Sequence, residues 1–198
     1  MRAPRRRAAP LLLLGLAAAL APFPVVAQPA PPVEALMRSM RAVPERRDAF
    51  TEERAIPELD LPLPSSGVLL WRAPDRLEKH TTSPIDERLL VEGNRLSYER
   101  ADRGVRRDFG LDDQPEMRAL VEAVRATLAG DLPGLSRHYE IGFDGTPGAE
   151  WRLTLTPLST RVRASVQRIL ISGRGAQVLA VDTEGGGGVT RMRLRPGP

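Results

Sequence analysis

The chain is 198 residues long, has no cysteine, and carries 29 basic against 25 acidic residues. Four basic residues (Arg2, Arg5, Arg6, Arg7) and no acid fall within residues 1–27, so the remainder balances at 25 of each sign, which excludes nucleic-acid binding through net basicity. Disulfides are excluded as well, so about 171 residues must be held by burial alone, a length that suits one domain with a sizeable core.

Residues 1–27 read as a cleavable export signal. A basic cluster precedes an apolar run from Leu11 to Leu20, and Val25-Val26-Ala27 places small residues before Gln28. The run is too short to span a bilayer, which takes about 20 residues. Arg5-Arg6-Arg7 lacks the apolar and lysine residues that follow a twin-arginine pair, so the general secretory route is expected, with a mature chain of residues 28–198 in the periplasm. No cysteine stands at the cleavage site to carry a lipid anchor.

Residues 28–32 form a short linker. From Val33 the pattern is helical: Val33, Leu36, Met37, Met40 and Val43 recur at three- and four-residue spacing, and Pro44 ends the run. Strands are predicted at 48–56, 67–72, 76–83, 86–92, 95–100 and 105–110. Ala73-Pro74-Asp75, Pro84, Glu92-Gly93-Asn94 and Asp102-Arg103-Gly104 supply the turns. A second amphipathic helix carries Met117, Leu120, Val121, Val124 and Leu128, with Asp113 as N-cap, Pro115 and Glu116 in the first turn, and Gly130 as the stop. Asp131 to His138 adds a short helical turn. Five further strands follow at 139–144, 150–157, 166–172, 176–183 and 189–195. In the last, Arg191, Arg193 and Arg195 alternate with Met192 and Leu194, the pattern of a solvated strand that resists edge-to-edge association. The fold class expected is α+β, mainly β: an antiparallel meander of about eleven strands with helices at its start and middle.

Several segments in this order resemble the LolA-like periplasmic lipoprotein and lipid carriers. Phe50-Thr51-Glu52 stands where that family often has Phe-Thr-Gln. Gly67-Val68-Leu69-Leu70-Trp71-Arg72-Ala73-Pro74 is similar to its Gly-x-Leu-x-(aromatic)-x-x-Pro segment. Leu89 to Leu96 resembles its Asp-Gly-x-x-Leu hairpin. The resemblance covers nearly all of residues 28–198 and implies a curved antiparallel sheet, an incomplete barrel, with lid helices over its open side. It also implies a monomeric carrier that takes an acylated cargo, lipoprotein or lipid, from an inner-membrane exporter to an outer-membrane acceptor. Where the family's lipoprotein carrier has a lid-latching arginine just before the proline, this chain has Ala73, with Arg72 one residue earlier and on the opposite face of a strand. Other members of the wider group resemble partners of lipid or polyene-pigment exporters.

A carrier needs an apolar cavity with a cover. On a curved sheet one side chain in two faces inward, so Leu69 with Trp71, Leu96 with Tyr98, and Trp151 with Leu153 and Leu155 are same-parity sets able to line it. Leu36, Met37 and Met40 of the first helix, and Met117, Leu120, Val121, Val124 and Leu128 of the second, would cover it. At about 0.8 kcal/mol per buried methylene, a chain of about 16 carbons gains roughly 12 kcal/mol as an upper bound. Micromolar retention needs only about 8 kcal/mol. The same residues also fit a solid core with no space between them.

Other chemistry finds little support. His80 and His138 are far apart and lack metal-ligand spacing. The run Gly185 to Gly188 lacks the lysine and hydroxyl of a phosphate loop and reads as a flexible hairpin tip. Asp112-Asp113 and Glu52-Glu53 are adjacent acids, which diverge on a strand. Ser136 and His138 would need a third group, and no nucleophile elbow is present. No cofactor is implied. Besides the carrier, two readings stay open: a lipid-sensing adaptor of the same fold that partners an inner-membrane exporter, and a lipid hydrolase.

Overall fold

A computed structural model describes residues 32–57 and 60–197. The expected export signal lies outside the described residues, as does the expected linker up to residue 31. Eleven strands form a single antiparallel sheet that does not close into a barrel. In chain order the elements are α1 (Pro32–Arg41), β1 (Glu45–Ala55), β2 (Leu63–Arg72), β3 (Arg76–Ser83), β4 (Glu87–Glu92), β5 (Arg95–Arg100) and β6 (Val105–Gly110). The chain continues through α2 (Pro115–Ala129), α3 (Leu132–His138), β7 (Tyr139–Gly145), β8 (Glu150–Pro157), α4 (Thr160–Arg163), β9 (Arg168–Arg174), β10 (Gln177–Gly185) and β11 (Gly188–Pro196).

The sheet order is β6-β5-β4-β3-β2-β1-β11-β10-β9-β8-β7. Each half is a meander, and the two halves are joined through β1 and β11, with Phe50 opposite Leu194 and Glu52 opposite Met192. The edges are therefore β6 and β7, consecutive strands in the chain separated by α2 and α3. β11, whose arginine row is expected to resist edge-to-edge association, is not at an edge. Its arginines do face outward while Met192 and Leu194 face inward, but the strand lies at the centre of the sheet, where Arg193 pairs with Asp182 of β10.

Alternation fixes the inward face. In β8 every second residue is buried (Trp151, Leu153, Leu155, Pro157) while Glu150 and Arg152 are exposed. β2 begins four residues before the expected strand, at Leu63, despite Pro64. Pairing with β3 starts only at Ser66, so Pro64, opposite Glu53 of β1, has no β3 neighbour to which an N–H could donate.

The helices stop and start where chain chemistry dictates. Pro115 opens α2, and Gly130 ends it in the left-handed region (φ 65°), its N–H reaching the carbonyls of Ala126 and Thr127. A side chain at residue 130 would also strike the Met37 carbonyl of α1, 2.1 Å from where a Cβ would sit. Asp113 is not the cap. It ends a 3₁₀ turn (Leu111–Asp113), which displaces the N-cap to Gln114, whose side chain makes no capping bond. Asp131 does cap α3, accepting from the Gly134 N–H at 2.9 Å. The four-residue α4, capped by Ser159, is too short to leave a periodic trace. Nor is the Gly185 end of the β10–β11 hairpin merely a free tip: a Cβ there would lie 1.9 Å from the Ser165 carbonyl oxygen.

Burial falls into two apolar clusters. The larger joins Leu36, Met37 and Met40 of α1 to Phe50, Trp71, Leu128, Leu135, Trp151, Leu153, Leu155, Ile169 and Ile171. The smaller, in the β4–β6 half, is Val91, Leu96, Leu111 and Val121, with Leu89, Phe109 and Met117 against it. Among the described residues no helix is long and apolar enough to cross a membrane.

Candidate functional site: an apolar cavity beneath the second helix

The two clusters do not meet everywhere. Between them lies a cavity of about 650 Å3. Met117, Leu120, Val121 and Val124 of α2 form its roof, because residues three and four apart share one helix face. Leu69, Leu77, Leu89, Leu96 and Phe109 line it from the β2–β6 half, and Ile169, Val181 and Met192 from the other. Alternation explains the strand contributions: cross-strand partners Leu89 and Tyr98, or Val181 and Met192, share the inward face.

Of the residues singled out in the sequence, Leu69, Leu96, Tyr98, Met117, Leu120, Val121 and Val124 surround this space. The other eight do not line it. Leu36, Met37, Met40, Trp71, Leu128, Trp151, Leu153 and Leu155 are buried to 3% exposure or less within the larger cluster. Their parity is right, but α1 and its neighbours fill the space above them, so they act as core. Six apolar liners were not anticipated: Leu77, Leu89, Phe109, Ile169, Val181 and Met192. Each lies on the inward parity of its strand, a signal that becomes readable once the sheet order is known.

Polar side chains complete the lining. Lys79, the chain's only lysine, donates to both carboxylate oxygens of Glu52 at 2.7 and 2.9 Å, with its Nζ 5.0 Å from the centre of the Phe50 ring. Tyr98 donates to Glu87 at 3.0 Å. Desolvation, followed by the Glu87 carboxylate, holds the Tyr98 hydroxyl above its usual range, which keeps it a proton donor. Arg54, Thr81, Gln114, Thr183 and Thr190 are the remaining polar liners.

The roof is tied to the sheet by an arginine at an unexpected place. Arg72 faces outward and pairs with Glu45 at 3.0 Å, leaving it and Ala73 without a latching role. From α2 itself, Arg125 donates to the Gly93 carbonyl at 2.6 Å and lies 3.5 Å from the Asp75 carbonyl, while also pairing with Glu122. The two hairpin loops it bridges are in turn joined by the Gly93 N–H to Asp75, at 3.1 Å. Here the arginine sits on the lid and its acceptors on the sheet.

The other candidate chemistries are dispersed. His80 bonds Asp86 at 2.8 Å on the surface, and His138 stacks edge-on against Tyr139. Ser136 and His138 lie two apart on α3, a spacing at which helical side chains do not face each other. Asp112 accepts from Asn94 and Arg118. Among the described residues no group of three or more histidines and acids could hold a metal ion.

The profile of a family described as "Outer membrane lipoprotein carrier protein LolA-like" matches residues 29–197. No curated protein matches the sequence. Among solved structures, a LolA superfamily protein from Nitrosomonas europaea aligns at 11% identity over 84% of this chain and 92% of its own, with a TM-score of 0.46. A DUF1329 family protein from Desulfovibrio piger aligns at 9% identity over 82% and 88%, with a TM-score of 0.44. MucB, solved in complex with MucA(peri), aligns at 16% identity over 84% of this chain and 54% of its own, with a TM-score of 0.40.

Proposed function

Since this chain belongs to the LolA-like family of outer-membrane lipoprotein carriers, we propose that it is a periplasmic carrier whose cavity shelters the acyl part of a lipophilic cargo between an inner-membrane donor and an outer-membrane acceptor. The observation that carries this reading is the roofed cavity of about 650 Å3, lined mainly by apolar side chains, lying between two otherwise close-packed clusters. A folded protein rarely leaves such a space unfilled without use, since interiors pack like organic crystals. Its volume falls within the range of small-molecule sites, about 300–1,000 Å3. The periplasmic setting follows from the export signal in residues 1–27. Nothing in the mechanism needs a reacting group. Burial holds the chain, and release requires an acceptor that offers comparable burial once α2 lifts.

The test is native mass spectrometry of the mature protein purified from a periplasmic extract, beside an organic extraction. The expected result is a mass excess that disappears on denaturation and appears in the extract as an acylated species. In Leu120→Trp the indole occupies the cavity, so the excess should vanish while the circular dichroism stays unchanged. A bare mass together with no uptake of added palmitate would sink the carrier reading and leave an adaptor of the same fold.

A further inference from the structure

The cavity has two unlike ends. Leu77, Leu96 and Phe109 lie toward the rim that carries the β2–β3 and β4–β5 turns, under Met117 and Val121. The opposite rim carries the β1–β2, β3–β4 and β10–β11 connections. There the register sets Glu52 and Arg54 near the end of β1, and Thr183 opposite Thr190 on the neighbouring strands. Glu87 opens β4 at the same rim, and Lys79 reaches Glu52 across β2. The charged liners are thus two cations, Lys79 and Arg54, and two carboxylates, Glu52 and Glu87. Among the described residues Arg54 has no carboxylate within ion-pair distance, while Glu87 accepts from Tyr98 and stands opposite Arg100 across the β4–β5 pair.

Volume bounds what enters. A methylene takes about the room of a water molecule, roughly 30 Å3, so 650 Å3 accommodates on the order of 20 non-hydrogen atoms. One acyl chain of about 16 carbons and the first atoms of a head group match this volume. Charge then bounds the head. A purely anionic head meets Glu52 and Glu87, and a purely cationic one meets Lys79 and Arg54. A head bearing both signs finds a partner for each, which matters most at Lys79 and Glu52, whose side chains are largely buried, and less at Arg54, which is exposed.

Building on the carrier reading, we propose that the cargo is a single-chain amphiphile with a zwitterionic head group. Its chain lies under α2, its anionic group faces Lys79 and Arg54, and its ammonium faces Glu52 and Glu87. The Lys79–Glu52 pair satisfies both groups in the empty protein and exchanges for the two charges of the head on loading.

The experiment titrates delipidated mature protein, by calorimetry and native mass spectrometry, with four probes: palmitate, palmitoyl lysophosphatidylethanolamine, palmitoyl lysophosphatidylglycerol and dipalmitoyl phosphatidylethanolamine. One equivalent of lysophosphatidylethanolamine should bind about tenfold tighter than lysophosphatidylglycerol, and the diacyl lipid should bind weakest. Glu87→Gln keeps an acceptor for Tyr98 while making the site net cationic, so it should shift preference toward lysophosphatidylglycerol; Arg54→Gln should shift it the other way. Equal affinity for all head groups, or tightest binding of the diacyl lipid, overturns this inference and leaves the carrier reading standing. Failure of every probe, palmitate included, overturns both.

Discussion

Replacing Arg125 by Met isolates the tie between roof and sheet, because the two residues have nearly equal helix propensity. The change removes a charge-assisted bond to the Gly93 carbonyl and leaves Glu122, whose side chain is only 16% exposed, without its cation. A hydrogen bond to a charged group contributes about 1.5–3 kcal/mol. Taking about 2 kcal/mol, the equilibrium for lifting α2 off the sheet shifts roughly thirtyfold toward the open form. If the same loss registers globally, Tm falls by about 4–8 °C for a domain of this size. Hydrogen exchange separates the two levels. Amides of α2 (115–129) should lose about thirtyfold protection, while those of β8 and β9, each paired to a strand on both flanks, change much less. Arg125→Lys should fall between, since one ammonium cannot hold the carbonyl and the carboxylate as a guanidinium fork does. Unchanged exchange in α2, or an equal loss through all strands, would refute the latch.

Four other outcomes follow from the packing. Gly130→Ala forces a left-handed conformation on alanine and drives a methyl into the Met37 carbonyl, so it should cost roughly 3 kcal/mol in urea unfolding; under 1 kcal/mol would mean α1 yields freely. Tyr139→Phe removes the hydroxyl that donates to the Ala119 carbonyl, already engaged within α2, and should cost about 1 kcal/mol with lipid uptake unchanged. Leu153→Ala, at a fully buried position, should cost about 2–5 kcal/mol, whereas the half-buried liner Leu120→Ala should cost less in stability and more in retained lipid; the reverse order would exchange core and cavity. Burial raises the Asp48 carboxyl above its usual range, partly countered by Arg46. Folding therefore favours the protonated form, and its stabilising contribution is complete below the unfolded pKa and lost as pH rises through the folded one. Asp48→Asn should accordingly raise Tm at about pH 7 and leave it unchanged near about pH 3, where the native carboxyl is already neutral; equal shifts at both would assign the effect to packing.

Strand positions were readable because period-2 alternation and turn chemistry coincide in this chain. Trp151, Leu153 and Leu155 alternate with polar neighbours, and Gly93-Asn94 separates two such runs. Gly130 marked the end of α2 for a reason that local sequence contains, its left-handed backbone. Sheet order was another matter. Nothing local distinguishes an edge strand with three outward arginines from a central one, since the difference lies in a partner, β1, at the other end of the chain. The divide between core and cavity has the same origin. Trp71 and Leu69 share a strand face, yet only Leu69 reaches the space under α2, whereas Trp71 joins the cluster that α1 packs into. The charged liners are not legible locally because each reads alone as a solvated residue. Glu52 and Lys79 become a pair only when β1, β2 and β3 are side by side.

The seam between β1 and β11 also dictates how the molecule comes to be. The first and last strands made are the two that meet at the middle of the sheet, so the centre closes only after the longest loop in the chain has closed. Such non-local pairing slows folding, because loop-closure entropy must be met before any contact repays it. Until β11 arrives, β1 and β10 present raw edges, the state most exposed to pairing with the wrong chain. The two half-sheets therefore stay separate, and the shell around the cavity is complete only once β11 is in place. Shortening the protein at its C-terminus removes no ornament from the rim. It takes out the keel.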